Sequence, residues 1–165
     1  MNKTNKSLLD IVDRFKNKKI AVWGDFILDE YIFGNTNRIS REAPVLILTF
    51  KNRKFYLGGA GNSVLNLHAL GANPLPIGIY GPDEPGNKIV EFMKEKGIKA
   101  KYLFCEKNYR TPIKTRILAG EETARKQQIL RIDQEQTVPD KKEIKKKMED
   151  SLIFMKDKID ALLIS

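Results

Sequence analysis

One cysteine, Cys105, and one histidine, His68, occur in the 165 residues. A lone thiol excludes an internal disulfide, and a single imidazole beside it excludes a zinc site built from several Cys and His ligands. His68 therefore reads as a packing or surface residue, and Cys105, set in an apolar strand pattern, as buried and inert. No apolar run approaches the roughly 18 residues that a membrane-spanning helix needs, so no membrane association is expected. The first six residues are polar and pass directly into an amphipathic pattern, unlike a secretory leader. These absences together favour a cytoplasmic protein. Acidic residues are the scarcer charge, with 21 Asp and Glu against 30 Lys and Arg, for a net charge of +9. Such an excess suits nucleic acid or phosphorylated small molecules. No aromatic–basic stacking motif accompanies it, so nucleic acid is not an expected partner. In the lysine-rich stretch 141–147, Ile144, Met148, Leu152, Met155 and Ile159 recur at helical steps, which puts the lysines on the solvent face of a packed helix.

Along the chain, strand and helix patterns alternate. Leu8, Leu9, Ile11, Val12 and Phe15 predict an amphipathic N-terminal helix. Residues 19–24 predict a buried strand ending at Gly24-Asp25, and Trp23 a core residue. A polar stretch spans 34–41. Residues 45–50, apolar on both faces, predict a strand covered on both sides. Gly58-Gly59-Ala60-Gly61-Asn62 opens a helix carrying Val64, Leu65, Leu67 and Leu70. Residues 75–80 predict a strand, and Pro85-Gly86 a helix closed by Gly97. Strand patterns follow at 102–105, 113–118 and 129–132. Pro139-Asp140 then starts the lysine-rich helix, with Asp140 as its cap, and 161–164 predict a core strand. This order predicts an α/β domain with a largely parallel sheet.

Two motifs carry candidate chemistry. Glycines just before a helix let a ligand approach the backbone, where first-turn amides point outward as donors. Asn62 adds a side chain that both donates and accepts. A ligand-free glycine-rich helix start is the alternative. The dinucleotide fingerprint does not fit, because Val64 stands where its third glycine belongs, and no Gly-Lys-Ser/Thr phosphate loop is present. Asp25 and Asp29 follow the first strand, where open α/β sheets bind ligands. An ionised Asp offers two acceptor oxygens, suited to paired hydroxyls, with a turn or helix cap as the alternative.

The run from Gly58, with Gly71 and Gly81 at the later glycine positions, resembles the first signature of the ribokinase (PfkB) family of carbohydrate kinases. Val64 departs from the Ser, Thr or Ala usual there, without removing a ligand-contacting group. Arg38-Ile39-Ser40-Arg41-Glu42-Ala43-Pro44-Val45 resembles a segment of the D-glycero-D-manno-heptose 7-phosphate kinases. Lys114-Thr115-Arg116 and the run from Gln127 to Asp133 resemble that group's later segments. The resemblance implies a Rossmann-like ribokinase fold with a small β-sheet lid. Residues 1–165 would form the N-terminal half of one kinase domain, with lid segments within about 30–57 and 111–133.

It further implies that Asp29 holds sugar hydroxyls, with Gly58, Gly59 and Asn62 closing over them. Lys114, Arg116 and Arg131 would lie near the sugar and neutralise its phosphate, as guanidinium forks do. An ordinary Arg131–Asp133 ion pair is the alternative for that residue. The implied reaction is ATP- and Mg2+-dependent phosphorylation of heptose 7-phosphate at its anomeric hydroxyl, on the route to ADP-heptose and the lipopolysaccharide core. Another ribokinase-like sugar kinase and a non-catalytic sugar-binding module are the rivals. A homodimer through the lid is also implied. The Gly-Ala-Gly-Asp segment that supplies the family's catalytic base does not occur, so no catalytic residue is assigned in the chain. The chain is expected to be inactive without a missing C-terminal half.

Overall fold

The computed structural model describes residues 3–120, 125–136 and 142–165. In chain order the elements are α1 (Lys3–Asp13), β1 (Lys19–Trp23), β2 (Phe26–Ile39), β3 (Leu46–Gly59), α2 (Ala60–Ala69), β4 (Asn73–Tyr80), α3 (Glu84–Glu95), β5 (Tyr102–Cys105), β6 (Ile113–Gly120), β7 (Gln127–Gln134), α4 (Lys142–Met155) and β8 (Ala161–Ile164). They form two four-stranded sheets, ordered β5-β4-β1-β8 and β3-β2-β6-β7.

The first sheet is parallel at each pairing, as the α/β alternation predicts. Its central strand β1 buries Ile20, Ala21 and Val22 in succession, which is the continuous apolar run of a strand covered on both faces. Ile20 and Val22 pack with Val64 and Leu67 of α2 and Ile89 and Met93 of α3. Ala21 faces the other way, into a cluster with Ile77, Met155, Met148 and Leu152. The apolar stripe of α4 is therefore its packed side, as its spacing predicts. The expected start of that helix at Pro139-Asp140 lies outside the described residues.

The second sheet is mixed. Strands β2 and β3 are antiparallel from Phe26↔Gly59 to Ile39↔Leu46. β6 runs parallel to β2, and β7 runs antiparallel to β6. Only Gly24-Asp25 separates β1 from β2, and β3 runs straight into α2. The second sheet therefore stands at the carboxyl end of β1, where α/β sheets place their ligands.

Several expectations need correction. Most of the stretch 34–41, read as a polar connection, continues β2 to Ile39. A long cross-strand ladder can hold polar residues extended where local propensity alone does not. The stretch 45–50 is not covered on both sides: Val45, Leu46 and Phe50 are all exposed. Leu8, Leu9, Ile11 and Val12 of α1 are exposed too, and Phe15 alone of that set packs on the core. Strand β8 pairs with β1 but lies at the sheet edge, with Ile164 and Leu162 exposed. Cys105, at the end of edge strand β5, is exposed rather than buried. Trp23 packs at the margin of the core, partly buried.

Candidate functional site

The register of the second sheet decides which side chains meet. Residues paired across a sheet share a face. Asp29 pairs with Lys114 on one side and Tyr56 on the other, and Tyr31 pairs with Arg116. On the next strand, Lys114 pairs with Asp133 and Arg116 with Arg131. One face thus carries Asp29, Tyr31, Tyr56, Lys114, Arg116, Arg131 and Asp133.

Asp29 and Arg116 form an ion pair at 2.5 Å, with both side chains about four-fifths buried, at 19% and 20% exposure. The Asp29 hydrogen bond is the main cause holding the guanidinium pKa above its usual value. Lys114 Nζ lies 2.7 Å from Glu135 and 3.7 Å from Asp133, and the Glu135 contact raises its pKa. Arg131 donates through two nitrogens to the two oxygens of Asp133, at 2.9 and 3.0 Å, a two-point contact suited to the planar guanidinium. The ordinary ion pair weighed for Arg131 is thus present, and each of the three cations faces a carboxylate.

Glycines 58 and 59 have separate reasons. A Cβ at Gly58 would stand 2.7 Å from Asp29 Oδ2, so any side chain there would displace the carboxylate. Gly59 has φ 52°, the left-handed region that favours glycine, and a Cβ on it would collide with the Asp25 carbonyl oxygen. That carbonyl accepts from Ala60 N at 2.9 Å. No side chain caps the start of α2, so its first-turn amides face outward as the glycine run predicts. Asn62 is exposed in that first turn.

The strands are anchored from below. Asp83 caps α3, its Oδ1 accepting from Gly86 N at 2.9 Å and its Oδ2 from Thr111 N at 2.8 Å. Thr111 Oγ1 accepts from Gly81 N at 2.8 Å. This fixes the chain two residues before β6 and so the heights of Lys114 and Arg116. On the opposite face, Thr115 donates to Glu30 at 2.8 Å.

Of the sequence-predicted residues, Asp29, Gly58, Lys114, Arg116 and Arg131 come together on this face. Gly59 and Asn62 sit at the junction with α2. Asp29 itself lies inside β2, not in the turn after β1. Sequence reasoning missed Tyr31 and Tyr56, although the alternation Asp29, Tyr31, Phe33 carried the signal of a strand face. His68 is exposed on α2. Among the described residues, no group of three or more His, Cys, Asp or Glu is placed to hold a metal ion. No described helix is long and apolar enough to cross a membrane.

The family model for pfkB family carbohydrate kinases matches residues 17–151. The bifunctional protein HldE of Pelobacter propionicus is 36% identical over 160 residues, covering 97% of this chain and 32% of that protein. HldE of Campylobacter concisus is 45% identical over 118 residues, covering 72% and 24%. The chain thus spans no more than a third of the length of these curated relatives. Among solved structures, a chain from Clostridium perfringens aligns with a TM-score of 0.62 at 21% identity, over 89% of this chain and 43% of that one. Arabidopsis thaliana ribokinase complexed with ribose and ATP aligns with a TM-score of 0.51 at 18% identity, over 69% and 35%. At these identities the structures speak for the fold.

Proposed function

We propose, from the premise that the chain belongs to the pfkB family of carbohydrate kinases, that it is the sugar-binding part of a kinase for a phosphorylated sugar, namely heptose 7-phosphate phosphorylated at its anomeric hydroxyl. The observation that carries this reading is the face of the second sheet on which Asp29, given room by Gly58, lies beside Lys114, Arg116 and Arg131. Carboxylate oxygens suit hydroxyls, and guanidinium and ammonium groups suit a phosphate. A phosphate that draws Arg116 to itself releases Asp29 to accept from the sugar. The second sheet would then act as a lid over the sugar, with Gly59 and Asn62 at its base. The likeness to HldE proteins and the segment from Arg38 to Val45 favour a heptose phosphate, and with it a cytoplasmic role in ADP-heptose synthesis.

ATP with Mg2+ is the phosphate donor that the family implies. The residues at hand do not build a site for it. There is no Gly-Lys-Ser/Thr loop, and the described residues hold no cluster of metal ligands. No step is therefore derived through either. Gly-Ala-Gly-Asp does not occur in the 165 residues, so we assign no catalytic base here. A second copy of the chain is the partner we propose for the opposite face of the lid, where Phe50, Leu130 and Ile132 are exposed.

Calorimetric titration with heptose 7-phosphate and with unphosphorylated heptose tests the reading. Asp29→Ala, which leaves hydroxyls unpaired, should weaken both sugars by roughly ten- to a hundred-fold. Gly58→Ala should act in the same direction by displacing the carboxylate. Arg116→Ala and Arg131→Ala should penalise the phosphorylated sugar alone. The same preparations should show no heptose-dependent ATP turnover. Equal losses for both sugars in the Arg variants would replace the phosphosugar reading with a ribokinase-like one.

A further inference from the structure

Beside Asp29, the face of the second sheet carries aromatic residues that no role has yet absorbed. Tyr56 is the direct cross-strand partner of Asp29, and it is half exposed, at 51%. Its ring meets Tyr31 edge-to-face, with centroids 5.4 Å apart and planes at 89°. Tyr31 is itself held on two further sides. Phe33 stacks on it at 6.5 Å, and the Arg116 guanidinium lies 5.2 Å from its ring centre. The Tyr31 ring is thus consumed by internal contacts, while Tyr56 is braced by it and still presents surface.

Two residues along β3 on the same face, Gly58 contributes no side chain. The Asp29 carboxylate lies over that glycine, its Oδ2 2.7 Å from where a Cβ would stand, with Tyr56 as its neighbour on that strand. Sugars have two kinds of surface, hydroxyls that need polar partners and a C–H face that is apolar. A pocket that orients such a ligand combines a few placed polar groups with an apolar or aromatic wall. The opposite face of the sheet has exposed apolar residues as well, but they are aliphatic or distant from Asp29. An aromatic surface beside a carboxylate and a set of cations occurs on the Asp29 face.

We infer that Tyr56, braced by Tyr31, is the stacking platform for the apolar face of the sugar ring and a specificity-determining residue of the site. This rests on the sugar-phosphate reading above. The ring supplies contact area at low entropic cost, since it has few torsions to freeze and its neighbours already hold it. Its place opposite Asp29 sets which sugar face lies down when the hydroxyls reach the carboxylate. Ring and carboxylate thus act as one recognition unit, and the cations add the phosphate.

The test is calorimetric titration of the wild-type chain and of Tyr56→Phe, Tyr56→Leu and Tyr56→Ala, each with heptose 7-phosphate and with inorganic phosphate. Phe keeps the ring and should bind heptose 7-phosphate within about two-fold of wild type. Leu and Ala should bind it roughly three- to ten-fold more weakly, the scale of one aromatic contact. Inorganic phosphate, which has no ring face, should bind all four proteins alike. Undiminished heptose 7-phosphate binding by the Leu and Ala variants would overturn the platform and leave the sugar-phosphate reading standing. A loss in Phe equal to that in Ala would assign the effect to the hydroxyl and overturn stacking. Loss of inorganic phosphate in the Leu and Ala variants would make Tyr56 a structural support instead. A wild-type chain that prefers inorganic phosphate to heptose 7-phosphate would remove the sugar-phosphate reading itself.

Discussion

Tyr109, in the loop between β5 and β6, is buried to 5% exposure, in a cluster with Ile79 and Ile144. Burial, then the nearby charges of Asp25 and Asp83, pushes its pKa up to about 12. An unfolded tyrosine ionises near 10, so between these values the folded chain holds a proton that the unfolded chain has lost. The resulting stability is complete below about pH 10 and disappears as the pH rises through about 12. Tyr80 is shifted in the same direction, again by burial first. Urea unfolding at a series of alkaline pH values should show stability falling across that window. Tyr109→Phe should flatten the decline. Equal slopes in the two proteins would mean that Tyr109 is not held neutral by the fold. The residue matters for the site because Asp25, whose carbonyl seats the start of α2, is one of the charges it feels.

At the scale of elements, the two β-layers are joined by short connections whose polar groups are satisfied by side chains. Asp83 is the clearest case, since one carboxylate both caps α3 and holds the buried Thr111 ahead of β6. Losing a cap costs about 1 kcal/mol, and leaving a buried amide unpaired costs about 1–3 kcal/mol more. Asp83→Ala should therefore destabilise the chain by roughly 2–4 kcal/mol in urea unfolding. Asp83→Asn, which keeps one acceptor, should cost less. A loss within about 0.5 kcal/mol, typical of a plain surface change, would show that β6 is anchored elsewhere. The helices themselves were legible: α3 announces its start with Pro85-Gly86 and its end with Gly97, at φ 69°, although the capping role of Asp83 came only with the structure. The long strands were less so, because Gly34 and Asn35 are poor strand formers and are held extended by pairing with β3 and β6.

For the whole molecule, exposed apolar side chains gather in two places. One is the lid face bearing Phe50, Leu130 and Ile132; the other surrounds edge strand β8, with Leu162 and Ile164, near exposed residues of α1. Free sheet edges and apolar patches of this kind favour association. Sedimentation velocity should find the purified chain self-associated. Leu130→Glu with Phe50→Glu should dissociate it if the lid carries the dimer, while Ile164→Lys should leave the lid dimer in place. A wild-type monomer would sink the proposed partner. Dissociation by Ile164→Lys alone would move the contact to the β8 edge.

The α/β alternation, the parallel first sheet, the packed stripe of α4 and the glycine run before α2 follow from the sequence alone. The helices and the glycine run depend on neighbours a few residues apart, which periodicity and end signals report, and the parallel sheet follows from the order in which strands and helices alternate. The cation set was legible as residue types, with Lys114, Arg116 and Arg131 named from their segments. The Arg131–Asp133 pair, two residues apart on one strand, could be weighed from the sequence, whereas only register could show that Arg116 spends its charge on Asp29, 87 positions away. Exposure was also decided by the tertiary structure. The apolar residues of 45–50, α1, β8 and Cys105 read as core because hydrophobicity predicts a wish for burial. Whether a covering element arrives depends on the packing of the whole fold. Tyr56 shows the same limit: its residue type was in plain view, and only the β2–β3 register set it opposite Asp29.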